Sequence, residues 1–298
     1  MSVWIGPLGA MVETSCLSGL DVVPEDRTVY AGGPGTLAPR RAVSWGEPPR
    51  TWRANIDNAT PGELATLQTM AHMQHKYGGT YRMLACDAHN TNAFTPGASI
   101  DFTGWEGVFT IGATYTRLVE TVGGGTVLYP ESILNQWTQL ESGLTPRDVQ
   151  SVVAVTADPS SSGTVLTSPI VPVIPGGPVT FGAFGTGTMI IRAQWVDANG
   201  DNVGSAETLV SVSHGSQLKR ATPTVNAPTN VAGVRMILTN GNLYAWPSIT
   251  WTASPRRYAT GRGADAVMLS PISESMITST RYLQRSGFSY EVREVPAA

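Results

Sequence analysis

Ser168-Pro-Ile-Val-Pro-Val-Ile-Pro-Gly-Gly-Pro-Val-Thr-Phe181 opens a stretch that closes on Leu243-Tyr-Ala-Trp-Pro-Ser-Ile-Thr-Trp251, and this stretch decides the fold. Nothing in it repeats at helical spacing over three turns, whereas alternation with a period of two recurs. Met189, Ile191, Ala193 and Trp195 point one way, and Ile190, Arg192, Gln194 and Val196 the other. Short strands separated by turn residues at intervals of roughly 8–12 residues predict a β-sandwich. A sandwich names a fold and not a function, so its meaning rests on what flanks it.

The whole chain has 298 residues, enough for two domains at roughly 150 residues each. Its charged fraction is 14 %, well below the roughly 25 % of ordinary soluble domains, and it holds 32 glycines and 21 prolines. Low charge suits a loop-rich β protein that hides surface in an assembly, because interface cores are depleted of charge. A net charge of −3 gives no electrostatic reason to expect nucleic acid binding. Two cysteines, Cys16 and Cys86, imply no disulfide framework, and whether they pair is left open. The opening Met1-Ser-Val-Trp-Ile-Gly-Pro-Leu lacks a basic region and an apolar run, so no secretion signal is expected. No apolar window reaches the roughly 20 residues of a membrane span.

Upstream of the sandwich, Ala31-Gly-Gly-Pro-Gly-Thr36 reads as a surface turn, since it lacks the lysine and hydroxyl of a phosphate-binding loop. Arg50-Thr-Trp-Arg-Ala-Asn-Ile-Asp57 alternates as a strand. It leads into Thr60-Pro-Gly-Glu63, a capping box with proline at the first helical position. Leu64, Leu67, Met70 and Ala71 form the apolar stripe of that helix, and Gly78-Gly79 ends it. His72 and His75 share part of a helix face but have no third ligand in sight, so no metal is expected. Thr80–Asp87 reads as a strand and Ala88–Pro96 as a loop. Cys86, Asp87 and His89 do not form a nucleophile arrangement, because neighbouring strand residues point to opposite faces.

Gly107–Tyr115 and Val149–Thr156 are further strand candidates, and Gly123-Gly-Gly125 is the expected domain break. Asp197-Ala-Asn-Gly-Asp-Asn202 lacks the glutamate of a calcium loop and predicts a hairpin with Asn-Gly at its tip. After the basic loop Ser254–Gly263 come two strands, Ala266–Leu269 and Phe288–Val295. Two strands are too few for a domain, so they are expected to return to the N-terminal one. The expected division is residues 1–122 with 255–298, and residues 123–254.

The blocks Trp4-Ile-Gly-Pro-Leu8, Arg50–Ile56 with its capped helix, and Ser289-Tyr-Glu-Val-Arg-Glu-Val295 resemble minor tail proteins of siphophages infecting actinobacteria, and distal tail proteins more broadly. Val173–Phe184, Ile191–Gly200, Thr222-Pro-Thr-Val-Asn-Ala-Pro228 and Leu243–Trp251 resemble carbohydrate-binding-module sandwiches. The resemblance spares roughly residues 97–158. It implies a mainly β protein: a distal-tail-type β-rich domain with one helix, plus a jelly-roll sandwich of the galectin or carbohydrate-binding-module kind. It further implies a virion protein of the tail tip, made in the host cytoplasm. Such a protein forms a homo-oligomeric ring, usually hexameric, that meets the tail tube, tape measure and hub or other minor tail proteins. No enzyme activity and no cofactor are implied.

The alternative is a glycan-binding adhesion module for host envelope polysaccharide. Its candidate contacts are Arg192, Gln194, Tyr244 and Trp246, with Trp251 a further candidate for stacking and Trp195 assigned to the core by its neighbours Met189 and Ile191. Tyr244 and Trp246 share one face of a strand that Pro247 marks as an edge or bulge, where packing competes with binding. Thr250-Trp-Thr-Ala253 stands where such modules often carry a carboxylate, so simple sugars are expected to bind weakly or not at all.

Overall fold

The computed structural model describes residues 2–15, 21–24, 29–31, 41–43, 49–85, 88–107, 109–115, 118–122, 125–129, 151–157, 165–215, 218–253, 258–270, 272–279 and 284–295. The chain opens with β1 (Ser2–Gly6), β2 (Val12–Ser15), β3 (Asp21–Pro24), β4 (Val29–Ala31), β5 (Arg41–Val43), β6 (Arg50–Ala59), α1 (Pro61–Tyr77) and β7 (Tyr81–Leu84). Two short helices, α2 (Ala88–Thr91) and α3 (Pro96–Ile100), precede β8 (Phe109–Tyr115), β9 (Leu118–Val122), β10 (Gly125–Tyr129) and β11 (Ser151–Ala157). Then follow β12 (Val165–Thr167), β13 (Val171–Pro172), β14 (Pro178–Val196), β15 (Glu207–Ser213), β16 (Leu218–Ala221), β17 (Thr224–Asn226) and β18 (Gly233–Thr250). β19 (Gly263–Leu269), β20 (Ser273–Ser279) and β21 (Gln284–Glu294) complete the order. The protein is mainly β, as its alternation predicts.

Two compact units result: Met1–Gly6, Val12–Cys86 and Ala264–Ala298 form the first, and Pro7–Met11 with Asp87–Gly263 the second. The boundaries expected at 122/123 and 254/255 therefore fall at 86/87 and 263/264. The reason is hydrogen bonding: Ala93 N donates to Ile249 O, Gly263 N to Phe94 O, and β8 pairs with β11. Cys16, Cys86, Gly123, Gly124, Ser254–Arg257 and most of the Ala31–Thr36 turn lie outside the described residues.

The first unit is a sheet in the order β2-β1-β7-β19-β21-β6-β3, with β20 added to β21. Both chain ends thus lie in one sheet, and β6 and β21 run antiparallel with Trp52 opposite Val292 and Ala54 opposite Tyr290. β20 is a strand that sequence patterning did not show, because Ser273-Glu-Ser-Met-Ile-Thr-Ser279 carries little apolar alternation. α1 forms as its cap predicts: Thr60 Oγ1 accepts from Glu63 N, and the Glu63 carboxylate accepts from Thr60 N at 2.9 Å. Gly78 ends the helix at φ 73°, a conformation that costs glycine little. Leu64 and Leu67 pack with Val3, Ile5, Trp52, Ile56, Val267 and Val292, while Met70 and Ala71 flank that core.

Two polar devices close this unit. Gln74 is buried in the continuation of the apolar stripe. Its Nε2 donates to Val267 O at 2.8 Å and Gly79 O at 3.2 Å, while its Oε1 accepts from Leu269 N at 2.7 Å. The side chain thus pairs with β19 as a strand would. Arg50 grips Glu294 with Nη2 at 2.8 Å and Nε at 3.0 Å and donates its backbone N–H at 3.1 Å. This fork ties the start of β6 to the end of β21.

The second unit follows the path β10-β9-β16-β14-β18-β11-β8, with β15 and β17 on β14 and β12 and β13 on β18. Its frame is the long antiparallel pair of β14 and β18, bent double. Phe181 and Trp195 are fourteen residues apart on β14, roughly 46 Å if the strand were straight. Their rings nevertheless meet at 6.3 Å, edge to face. At the far end Trp251 Nε1 donates to Pro172 O at 2.9 Å, although Pro172 pairs with Gly233 at the opposite end of β18. The folded-over strand pair makes a β-sandwich. Its bend lies where the β14–β18 register shifts, between Gly182 and Ile190. Gly185 and Gly241 allow the bend: a Cβ at Gly185 would meet Met189 Sδ at 2.5 Å, and one at Gly241 the Tyr244 ring at 2.7 Å.

Met189, Ile191, Ala193 and Trp195 fill the core as their alternation predicts. Ala88–Pro96, expected as loop, begins with the single turn of α2, and Thr95 caps α3 by accepting from Ala98 N at 3.1 Å. The Asn199-Gly200 tip closes a hairpin as expected: Asp197 N donates to Asp201 O, Val203 N donates to Trp195 O, and Val196 bridges Asn202. Asp197 Oδ1 accepts from Asn199 N and Asp201 N, adding an Asx-type turn at the tip, and β15 begins at Glu207.

Candidate functional site

In an antiparallel pair, directly opposed residues share a face, so the β14–β18 register sorts the side chains. Trp195 opposes Val234, Ala193 opposes Met236 and Ile191 opposes Leu238, and all six are buried. The intervening pairs, Gln194 with Arg235, Arg192 with Ile237 and Ile190 with Thr239, therefore form the opposite face. β15 extends it with Thr208, Ser211 and Ser213, and β12 with Val165 and Thr167. Glu106 bridges to Thr167 at its margin.

This face is a shallow trough. Its centre is low, with Gln194 and Thr239 each 8 % exposed, while Ser211, Ser213 and Thr208 are exposed on one rim and Val165 and Glu106 on the other. Four strands make it roughly 14 Å wide at the usual strand spacing. Arg192 donates from Nη2 to Ala206 O at 2.9 Å, and its Nε has no partner among the described residues. Among the described residues the Arg235 side chain meets only Glu106, at 3.6 Å, too long for a hydrogen bond. Gln194 spends Nε2 on Trp195 O and Gly204 O, at 3.1 and 3.2 Å. Two half-exposed guanidinium groups thus keep donors to spare beside hydroxyls and the half-buried side chains of Ile190 and Ile237. Such a surface offers hydrogen-bond donors and hydroxyls suited to an extended polar chain, and among the described residues it sets no nucleophile beside a base.

Arg192 and Gln194 are together here, and Arg235 joins them. Sequence reasoning missed Arg235, although Val234-Arg-Met-Ile-Leu238 carries the same period-two signal as Met189–Val196. Tyr244 and Trp246 are elsewhere, both in the core. The Tyr244 hydroxyl accepts from Gly241 N at 2.5 Å, and burial pushes its pKa up to about 12. Trp246 sits in a β-bulge: Trp246 and Pro247 lie between Ala245, opposite Phe184, and Ser248, opposite Gly182. Its φ of 48° is rare for a bulky residue. The bulge aims its ring edge-on at Phe184 (6.0 Å) and flat against Tyr258 (4.8 Å, 10°).

Asn92 holds the bulge in place. Its Nδ2 donates to Pro247 O and Ala259 O, and its Oδ1 accepts from Phe94 N at 3.2 Å and Ile249 N at 3.4 Å. Tyr258 donates to Ser99 O at 2.8 Å, and burial raises its pKa to about 12. His72 and His75 are exposed on α1. Among the described residues no three His, Cys, Asp or Glu side chains gather to hold a metal, and no helix is long and apolar enough to cross a membrane.

No protein-family model matches the sequence, and no curated protein matches it significantly. Among solved structures, the enzymatically active domain of tailspike protein 4 of bacteriophage CBA120 aligns at 13 % identity and a TM-score of 0.35, over 54 % of this chain and 21 % of the tailspike. The C-terminal family 22 carbohydrate binding module of a Clostridium thermocellum xylanase aligns at 10 % identity and a TM-score of 0.34, over 58 % of this chain and 99 % of the module. A family 61 module in complex with β-1,4-galactotriose aligns at 12 % identity and a TM-score of 0.30, over 54 % of this chain and 99 % of its own. The chain thus spans about a fifth of the tailspike domain and nearly all of the isolated modules.

Proposed function

We propose that the protein is a non-enzymatic structural component of a long-tailed phage tail tip. The unit built from both chain ends assembles with copies of itself into a ring between tail tube and tip, and the sandwich presents its trough to the host envelope. One observation carries this proposal. Strands from residues 2–6 and 284–294 lie in one sheet, latched by Arg50 and Glu294, while an independent sandwich interrupts that unit in sequence. This is the division of labour expected of an assembling ring domain with a displayed module. The low charge of the chain agrees with buried subunit contacts.

The test is the particle mass of the full chain in solution, alone and with the tail tube protein. Closed rings give a whole-number multiple of 31.5 kDa, with six copies expected. A chain that stays monomeric at its highest soluble concentration, with and without the tube protein, sinks the ring.

A second function, adhesion to envelope glycan without ring formation, is favoured by the trough of Arg192, Gln194 and Arg235. A monomer that sediments with purified envelope polysaccharide would establish it in place of the first.

A further inference from the structure

We infer that the trough selects an acidic polysaccharide, one bearing a carboxylate or phosphate along its chain, with Arg192 and Arg235 as the anion-binding pair. This rests on the proposal that the sandwich meets envelope glycan, and it names the ligand class. Three observations converge on it.

The first is placement. Arg192 opposes Ile237 and Gln194 opposes Arg235, so the two arginines are diagonal neighbours on adjacent strands, on one face. Side chains so placed are roughly 7–8 Å apart at their bases, well within the reach of two arginines. The second is unspent capacity. Among the described residues, the Arg192 side chain commits a single N–H to Ala206 O, and the Arg235 side chain makes no hydrogen bond. A guanidinium carries five N–H donors in a planar fork that matches a carboxylate or phosphate. The third is charge. The chain is acidic overall, at −3, yet among the described residues Glu106 is the one carboxylate that the register places at this face, with a side chain 73 % exposed at its rim. Its 3.6 Å contact with Arg235 is an exposed, long ion pair that an incoming anion displaces at small cost.

The trough also suits the shape of a polymer. The rims run along the β15 and β12 sides, so the open direction lies along β14 and β18, past both arginines in turn. Ser211, Ser213 and Thr208 on the exposed rim supply hydroxyls for a sugar chain, and the half-buried Ile190 and Ile237 supply apolar floor. Among the described residues no aromatic side chain is exposed on this face, so anion pairing carries the selectivity, which fits the expected weakness toward simple neutral sugars.

The experiment uses the full chain and two probes with one backbone: polygalacturonate, which has a carboxylate on each residue, and its fully methyl-esterified form, which has none. Binding is read by affinity electrophoresis and titration calorimetry. Polygalacturonate is expected to bind at least tenfold more tightly than the ester, with affinity falling as salt rises. Arg192→Gln and Arg235→Gln should each weaken it about tenfold, and Glu106→Gln should strengthen it a few-fold. Arg293→Gln, at an exposed arginine of the first unit, should change nothing. Thermal melting confirms that each variant is folded, and the Arg235 variant is decisive because that side chain has no hydrogen bond to a described residue to lose.

Equal binding of acid and ester, unaltered by either trough variant, overturns the acid-binding assignment and leaves glycan adhesion standing. Binding of the acid that Arg293→Gln weakens as much as the trough variants do places the contact elsewhere and overturns it too. No binding of either polymer overturns the assignment, while envelope polysaccharide still sedimenting with the protein keeps the broader proposal alive.

Discussion

Replacing Gln74 with leucine removes three hydrogen bonds while nearly preserving shape, and the result tests whether a helix side chain completes the sheet of the first unit. The substitution strands Val267 O and Leu269 N, which lie in residues 0 % and 8 % exposed. Each buried group left unsatisfied costs about 1–3 kcal/mol. Part of that is offset because leucine, unlike the amide, is buried gladly. A net loss of about 2–4 kcal/mol is expected, a large share of the stability of a unit this size. Urea denaturation followed by circular dichroism reads the global loss, and hydrogen exchange at the Leu269 amide reads the local one. Gln74→Glu sharpens the test. Protonated, it can still donate to Val267 O and accept from Leu269 N; ionised, it places a buried charge against a carbonyl. Its folded pKa is therefore raised, so the variant is stable at low pH and loses stability as pH rises through that pKa. A Gln74→Leu midpoint matching wild type, with Leu269 exchange unchanged, refutes the strand-mimic account.

The buried tyrosines set the alkaline limit. Tyr244 and Tyr258, both at about 12, keep their protons after the unfolded chain begins losing its own near 10, so their contribution is whole below pH 10 and lost between 10 and 12. Each contributes about 2–3 kcal/mol to the fall by pH 12, and Tyr258→Phe should flatten that limb in a pH series of urea midpoints; an unchanged slope would mean the ring is not held as described. The Arg50–Glu294 fork is only 13 % and 19 % exposed, so Glu294→Gln should lower stability by about 1–3 kcal/mol, with faster amide exchange at the ends of β6 and β21 as the signature. Residues 1–122 produced alone should not fold, because β19 and β21 supply the centre of the first sheet; a dispersed amide NMR spectrum from that fragment would show the sheet closing without them.

What was legible in the sequence was what local chemistry decides. Thr60-Pro-Gly-Glu63 specifies its cap through groups three residues apart, and the structure shows both reciprocal bonds. Met189 to Trp195 specify a buried face through the pleat alone. Gln74 marks the limit. Seven residues after Leu67, it falls in the apolar stripe, and a polar residue in such a place signals a specific partner, but only the fold reveals that the partner is β19. Arg235 was hidden for a different reason: no single residue announces it, and it matters because the register sets it diagonal to Arg192. Trp246 is the hardest case. Strand periodicity puts it level with Tyr244, yet the bulge and its positive φ turn it onto Phe184 and Tyr258, an outcome fixed by Asn92, which is 154 residues earlier in the chain. The candidate site follows the same logic. Two of its side chains could be named from alternation in one strand, but a site is a relation between strands. The pairing of β14 with β18 is what separates Arg192 and Gln194, which share the open face, from Tyr244 and Trp246, which the bend carries into the core.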